Sequence, residues 1–390
     1  MTDNKKLLIG LEVSSLINHG QDIGAGRYIL NLVGSLLDID RSNSYILSGT
    51  YTDNKYLDLA YGLAQGPADG RIRFKFIRTT DKCLKIRDKL GFPPIELTGF
   101  RADIFHCMDY VIPPTFNKNI VLTIHDLAFM RFPEFNFDWF IKKYSHMVRK
   151  NVVNSKKVLA SSESTGRDIL KFFGTAPEKV EVVHLAAGPI FKKLGSGEID
   201  RAIILKFGIR GPYILSVGTI EPRKDFVTLI KAYNIIRVKN PGFSHKLVIA
   251  GRTGWKSEAT YLEHGLSPFK DDIIFTGRVS DQELVQIYNQ AAIFVCTSLF
   301  EGFGLPLLEA MSCGLPVICS NSSSMVEVAG DAGILVEPGN TCGFADNIIK
   351  IVNDNILRNK LSENSLKKSG KFSWEQTARK TLEVYRKACS

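Results

Sequence analysis

A chain of 390 residues is long for one compact core, so two domains are expected. Its 44% apolar and 23% charged residues suit a folded soluble protein, and no run approaches the roughly 20 apolar residues of a bilayer span. Seven scattered cysteines, without CxxC or Cys/His ligand spacing, speak for a reducing compartment and against structural zinc, and a formal charge of +10 points to anionic partners.

From residue 6 to about 185, apolar runs of strand length alternate with helical patterns. The first run, LLIGLEVSSLI from Leu7, is interrupted by Glu12 and lacks a small-residue cleavage site, so it reads as a strand and not a signal peptide. SYILSG, ADIFHCM, NIVLTIHD, KKVLASS and VEVVH follow as strands; AGRYILNLVGSLL and SESTGRDILKFF are the clearest helices, the latter with a serine N-cap. Two stretches are basic: Arg71 to Lys89, with eight basic and two acidic residues, and Lys142 to Lys157, with six and none. Such clusters attract phosphates or anionic lipids, with a solvated helix face as the plain alternative. Residues 186–200, AAGPIFKKLGSGEID, read as a linker. PYILSVG, HKLVIAG, DIIFTG, AAIFVCTS, LPVICS and GILVEP then alternate with helices. These continuous apolar runs suit strands covered on both faces. The fold class is α/β, with two doubly wound Rossmann-like domains and a cleft between them.

Ligands of open parallel sheets sit beyond the carboxyl ends of strands, near helix N-termini. FEGFGLPLLEA, residues 300–310, lies at such a place. Pro306 suits the first helical position, and the amides of Gly304 and Leu305 would stay free for an anion. Glu309, a turn into the helix, can accept bonds from the vicinal hydroxyls of a ribose, and Glu301 from those of a second polyol. On spacing alone, an acidic helix start with a surface role explains the stretch as well. In SVGTIEPRKD, residues 216–225, Arg223 and Lys224 follow a strand end, where two adjacent cations can neutralise a diphosphate.

GAGRYILNLV, TIHD, SSESTGRDI, GTIEPRKD, VIAGRTGW, FTGRVSDQEL, the run from Glu301 to Pro338 and FSWEQTARKTLEVYR together resemble the retaining glycosyltransferases of the GT-B fold, family GT4. The resemblance covers nearly the whole chain. It implies an acceptor-side domain over 1–190, a nucleotide-sugar donor domain over 191–370, and a helix over 371–390 that crosses back to the first domain. It implies Arg223 and Lys224 on the donor diphosphate, Gly304 and Leu305 amides beside them, Glu309 on the ribose and Glu301 on the transferred hexose. Val279 would meet the base, His125 the hexose, and Gly24 with Gly26 would form a loop over the reaction centre. Asp126 is a candidate to orient His125 or to touch the acceptor. Where some members carry a further arginine this chain has Thr219, and Arg252 is the residue to replace it.

His106 and His184 read as packing residues. Asp38-Ile39-Asp40 is a DxD pattern, but its place after a helix reads as a helix exit, so no metal is expected; GAGRYI is only a fragment of a dinucleotide fingerprint, and no cofactor is inferred. The resemblance implies hexosyl transfer with retention, the departing phosphate taking the acceptor proton. It is similar in particular to bacterial mannosyltransferases of surface-polysaccharide assembly. GDP-mannose is then the expected donor, with UDP-glucose or a UDP-N-acetylhexosamine next. The acceptor is expected to be a saccharide, lipid-linked, at the cytoplasmic face of the membrane, with the first domain's basic clusters on the anionic surface. A nucleotide-sugar epimerase shares the architecture but lacks the EGFGLPLLE loop, and no nucleic-acid motif accompanies the charge.

Overall fold

A computed structural model describes residues 6–63 and 70–389. The chain divides into two units. The first holds residues up to Arg131, Phe137–Leu185 and the segment from Ser373; the second holds Phe132–Asn136 and Ala186–Phe372. The chain thus enters the second unit for five residues, returns, and leaves again at the start of the expected linker. The segment from Ser373, which forms the helix Trp374–Cys389, counts with the first unit.

The first unit is built on seven strands: β1 (Leu8–Glu12), β2 (Ser44–Tyr51), β3 (Ile72–Arg78), β4 (Ile104–Cys107), β5 (Ile120–Ile124), β6 (Lys157–Ala160) and β7 (Val180–Val182). Their order is β3-β2-β1-β4-β5-β6-β7, every neighbouring pair parallel. The second has β8 (Tyr213–Val217), β9 (Lys246–Ala250), β10 (Ile273–Gly277), β11 (Ile293–Cys296), β12 (Val317–Ser320) and β13 (Ile334–Val336), in the order β10-β9-β8-β11-β12-β13. The order reverses between β1 and β4 and again between β8 and β11. At such a switch point neighbouring loops diverge and leave a crevice.

Three local expectations need correction. LLIGLEVSSLI is not one strand: β1 stops at Glu12 and Ser14–His19 is a helix whose Leu16 and Ile17 are buried. The basic stretch from Arg71 contains β3, an edge strand. Phe74 and Phe76 turn to the ring of Tyr61 while Arg73 and Lys75 are exposed. Its alternation was hidden because the outward positions are all charged. Gly24 and Gly26 are not a loop; they begin the helix Gly24–Ile39, and the turn before it is Gly20–Asp22. A Cβ on Gly26 would stand 1.8 Å from the Gly20 carbonyl oxygen, so only glycine lets turn and helix meet there.

The helix Trp374–Cys389 docks on the helix Gly24–Ile39. Tyr385 Oη lies 2.6 Å from His106 Nδ1, and Thr377 donates to the His184 carbonyl at 2.7 Å. His106 is fully buried on β4, its Nε2 2.8 Å from Thr123 Oγ1. Asp40 follows the helix end and accepts bonds from Ser42, Asn43 and Tyr45, which ties that exit to β2.

Candidate functional site

The second unit brings the loops after β8 and β11 together because those strands are neighbours. After β8 the chain turns through a one-turn 3-10 helix, Pro222–Lys224, and Asp225 in the left-handed region caps the helix Phe226–Lys239. Thr297, just beyond β11, donates to the carbonyls of Lys224 and Asp225 (3.0 Å each), and the Leu299 amide donates to the Arg223 carbonyl at 2.8 Å. The two loops are therefore fixed against each other before any side-chain charge is considered.

Their side chains form one ion cluster. Lys224 Nζ donates to Glu301 Oε1 at 2.6 Å, and Arg223 Nη1 donates to Glu301 Oε2 at 2.7 Å. The other Arg223 nitrogen, Nη2, donates to Glu221 Oε1 at 2.6 Å, and Ser298 donates to Glu301 Oε1 at 2.6 Å. Glu221, Lys224 and Glu301 are buried, and the Arg223 side chain is 18% exposed. Two cations facing two carboxylates cancel, which is how four charged groups tolerate burial. Burial pushes the Glu301 carboxyl up. The charges of Arg223 and Lys224, with bonds from Lys224 and Ser298, outweigh it and hold the group at about 2. Glu301, expected on a hexose, is here the counter-ion of both cations expected on the diphosphate.

The loop itself is held by a serine run after β12. Ser322 and Ser324 donate to the carbonyls of Leu299 and Glu301, and Ser323 accepts from the Glu301 amide at 2.9 Å. These roles, and Glu221 as a second counter-ion, were missed. Three serines after a strand, and an acid two residues before an Arg-Lys pair, were the available signals. Glu221 Oε2 is buried with no partner among the described residues.

The helix after the loop is Leu305–Ser312, so Pro306 is its second residue and not its first. Gly304 caps it at φ 89°, a conformation that glycine adopts without Cβ strain. Among the described residues the amides of Gly304 and Leu305 donate to no protein acceptor. Glu309 is buried within this helix and accepts from Tyr288 Oη at 3.1 Å. Arg252 pairs its carbonyl with the Ile220 amide at 2.9 Å, which sets it beside the cation loop with an exposed side chain. Val279 is half-buried, next to Ser280, which caps the helix Asp281–Gln290 with Glu283.

In the first unit, His125 directly follows β5. Its Nε2 lies 3.0 Å from the Met108 carbonyl oxygen and donates to it, and Nδ1 is the other ring nitrogen, without a bond to a protein group among the described residues. The Tyr28 ring meets it edge-on, with centroids 4.8 Å apart. Asp126 does not orient His125: its carboxylate accepts from the Ala128 amide at 3.0 Å. Arg27 is the first helix residue to bond backward, to Ile23, so the amides of Gly24 and Gly26 belong to the open first turn. The carboxyl end of β1 adds Glu12, buried and bonded to Ser14, with burial as the first cause of its rise to about 7. Ser15 donates to Asp109 at 2.7 Å beside it. These acids were also missed; the break Glu12 makes in an apolar run was the signal.

Two doubly wound parallel sheets, one carrying a pair of cations and open helix-start amides at its switch point, give the chain the GT-B fold. The family profile of the glycosyl transferases group 1 matches residues 203–368, the greater part of the second unit. The O-antigen chain mannosyltransferase B of Escherichia coli is 28% identical over 293 residues, 74% of this chain and 76% of that protein. The serotype-specific mannosyltransferase WbdA of Escherichia coli is 31% identical over 237 residues, which is 58% of this chain and 28% of WbdA, so this chain corresponds to a minor part of that relative. Among solved structures, Alr3699/HepE of Anabaena in complex with UDP-glucose is similar in fold, with a TM-score of 0.74 at 15% identity over 98% of this chain and 100% of that one.

Proposed function

We propose that this enzyme transfers mannose from GDP-mannose, with retention, to a lipid-linked saccharide at the cytoplasmic face of a membrane. Two relatives named as mannosyltransferases support the sugar, and the one named for O-antigen chains supports the acceptor class. The observation that carries the reading onto residues is the Arg223–Lys224 pair, its lysine buried, beside the open amides of Gly304 and Leu305.

The donor diphosphate takes the place of Glu301 on Arg223 and Lys224, and the amides of Gly304 and Leu305 take further oxygens, with Arg252 in reach of the same loop. These groups match the charge that builds as the C1–O bond breaks, so no metal is required. Displaced from the cations, Glu301 turns to hexose hydroxyls. Glu309 holds the ribose, Val279 meets the base through its backbone, and His125 accepts a hexose hydroxyl at Nδ1. The first-turn amides of Gly24 and Gly26 meet the leaving phosphate, and Asp126 stays on the acceptor side. The acceptor oxygen attacks the face that the phosphate leaves, and its proton passes to a phosphate oxygen as the new C1–O bond forms.

The test is a thermal-shift comparison of GDP and UDP, followed by transfer of labelled mannose with and without EDTA. Stabilisation by GDP and EDTA-insensitive transfer are expected. Stabilisation by UDP alone overturns GDP-mannose, and loss of transfer in EDTA overturns the metal-free mechanism. Lys224→Ala is expected to lower turnover strongly while the fold persists; unchanged turnover overturns the role of the cations.

A further inference from the structure

The first unit buries a string of polar side chains between its sheet and two helices. Tyr385 Oη lies 2.6 Å from His106 Nδ1, His106 Nε2 lies 2.8 Å from Thr123 Oγ1, and Thr123 Oγ1 lies 3.0 Å from Tyr28 Oη. All four residues are at most 2% exposed. Each bond replaces water that these groups lost on folding, so removing one member strands its neighbours. Burial first, and the His125 charge second, push His106 down to about 3, so its ring is neutral at neutral pH. A neutral imidazole donates at one nitrogen and accepts at the other. The bonds to Tyr385 and Thr123 therefore run the same way along the string, and a change at Tyr385 is passed on to Thr123.

The string ends beneath His125. Thr123 and His125 are two residues apart at the end of β5 and face the same side of the sheet. Tyr28, on the helix Gly24–Ile39, meets both. Its hydroxyl bonds Thr123, and its ring stands edge-on to the His125 ring with the planes at 79°. The Trp374 ring, 6.2 Å from that of Tyr28, adds a contact from the helix that carries Tyr385. The His125 backbone is fixed separately, its carbonyl accepting from Ser161 at 2.6 Å. The ring is held by its single bond to the Met108 carbonyl. One hydrogen bond leaves the plane of a ring free to rock, and the Tyr28 edge restrains it.

We infer that Tyr28, Thr123, His106 and Tyr385 are positioning residues for His125, the helix Trp374–Cys389 setting the plane of the His125 ring through this buried string. The inference rests on the proposed contact of His125 with the hexose. Packing by itself does not call for polarity here. Phenylalanine for the two tyrosines and valine for Thr123 would fill nearly the same volume with no bond to satisfy. What the hydroxyls and the imidazole add is direction, because a hydrogen bond has a preferred angle and an apolar contact has none.

The experiment uses the full chain with isotope-labelled histidine, the ring signals of His125 being assigned by their loss in His125→Gln. Tyr385→Phe and Thr123→Val each remove one hydroxyl from the string. Both shift the His125 signals and lower kcat about tenfold. Affinity for GDP, read by calorimetry, stays at the wild-type value, because the groups proposed to hold the nucleotide belong to the second unit. Thr123→Ser, which restores a hydroxyl, recovers the rate lost in Thr123→Val. Val384→Ala is the control for a weakened helix. Val384 is buried on the same helix but lies beside Val182 and Val183, so this variant lowers the urea midpoint and leaves the His125 signals and kcat in place. His125 signals that stay in place in both Tyr385→Phe and Thr123→Val overturn the inference. So does a Val384→Ala variant that moves them as far, since helix stability alone would then be acting. Signals that move while kcat holds uphold the string and remove His125 from the proposed transfer, as does His125→Gln with wild-type kcat.

Discussion

Glu301→Gln changes the charge of the ion cluster and almost nothing of its volume. The wild-type carboxyl sits at about 2 against an ordinary value of 4.5, and that gap is worth about 3 kcal/mol of stability at neutral pH. Breaking a buried ion pair from one side costs about 3–5 kcal/mol, the same size. A carboxylate lowered in the folded chain stabilises fully above pH 4.5 and loses that contribution as pH falls toward 2. The variant is therefore less stable than wild type at pH 7, and the difference closes as the pH approaches 2. Urea unfolding of the second unit, followed through Trp255, measures both points. The substitution also removes the carboxylate that competes with a diphosphate for Arg223 and Lys224. GDP should bind the variant about tenfold more tightly by calorimetry while sugar transfer falls. A variant as stable as wild type at pH 7 that also binds GDP more weakly refutes the reasoning, because Glu301 would then be neither counter-ion nor competitor.

Glu221→Gln loosens one arm of the Arg223 guanidinium, so the donor KM should rise about tenfold with kcat less affected; a fall in kcat alone would remove Glu221 from donor binding. Glu309→Ala should weaken GDP and UDP by the same factor, about tenfold or more, since the ribose is common to both; a loss confined to one nucleotide would place Glu309 elsewhere. His106 is pushed down to about 3, by burial first and the His125 charge second. Unfolding lets it protonate near 6.5, so its contribution is full above that pH and about 2 kcal/mol is lost by about pH 5. His106→Gln should flatten the acid limb of the first unit's stability curve, and an unchanged limb would assign acid unfolding to other groups. Gly304→Ala should cost about 1–2 kcal/mol for its left-handed backbone and weaken GDP binding, both readable in one thermal-shift series.

The strand runs, the alternation with helices and the coil-to-helix junction at Gly304 follow from short stretches of sequence. Apolar periodicity and glycine conformation act over a few residues. The retaining glycosyltransferase resemblance rests on the same local stretches. What a local pattern cannot carry is which strand lies beside which. Only the order β8-β11 sets Glu301 against Arg223 and Lys224, 78 and 77 residues earlier, and makes it their counter-ion. The same non-local packing makes the charged run from Arg71 an edge strand, sends Phe132–Asn136 to the second unit and seats Tyr385 on His106. Charge pairs and burial depend on distances through space, and the folded chain sets those only when its sheets are assembled.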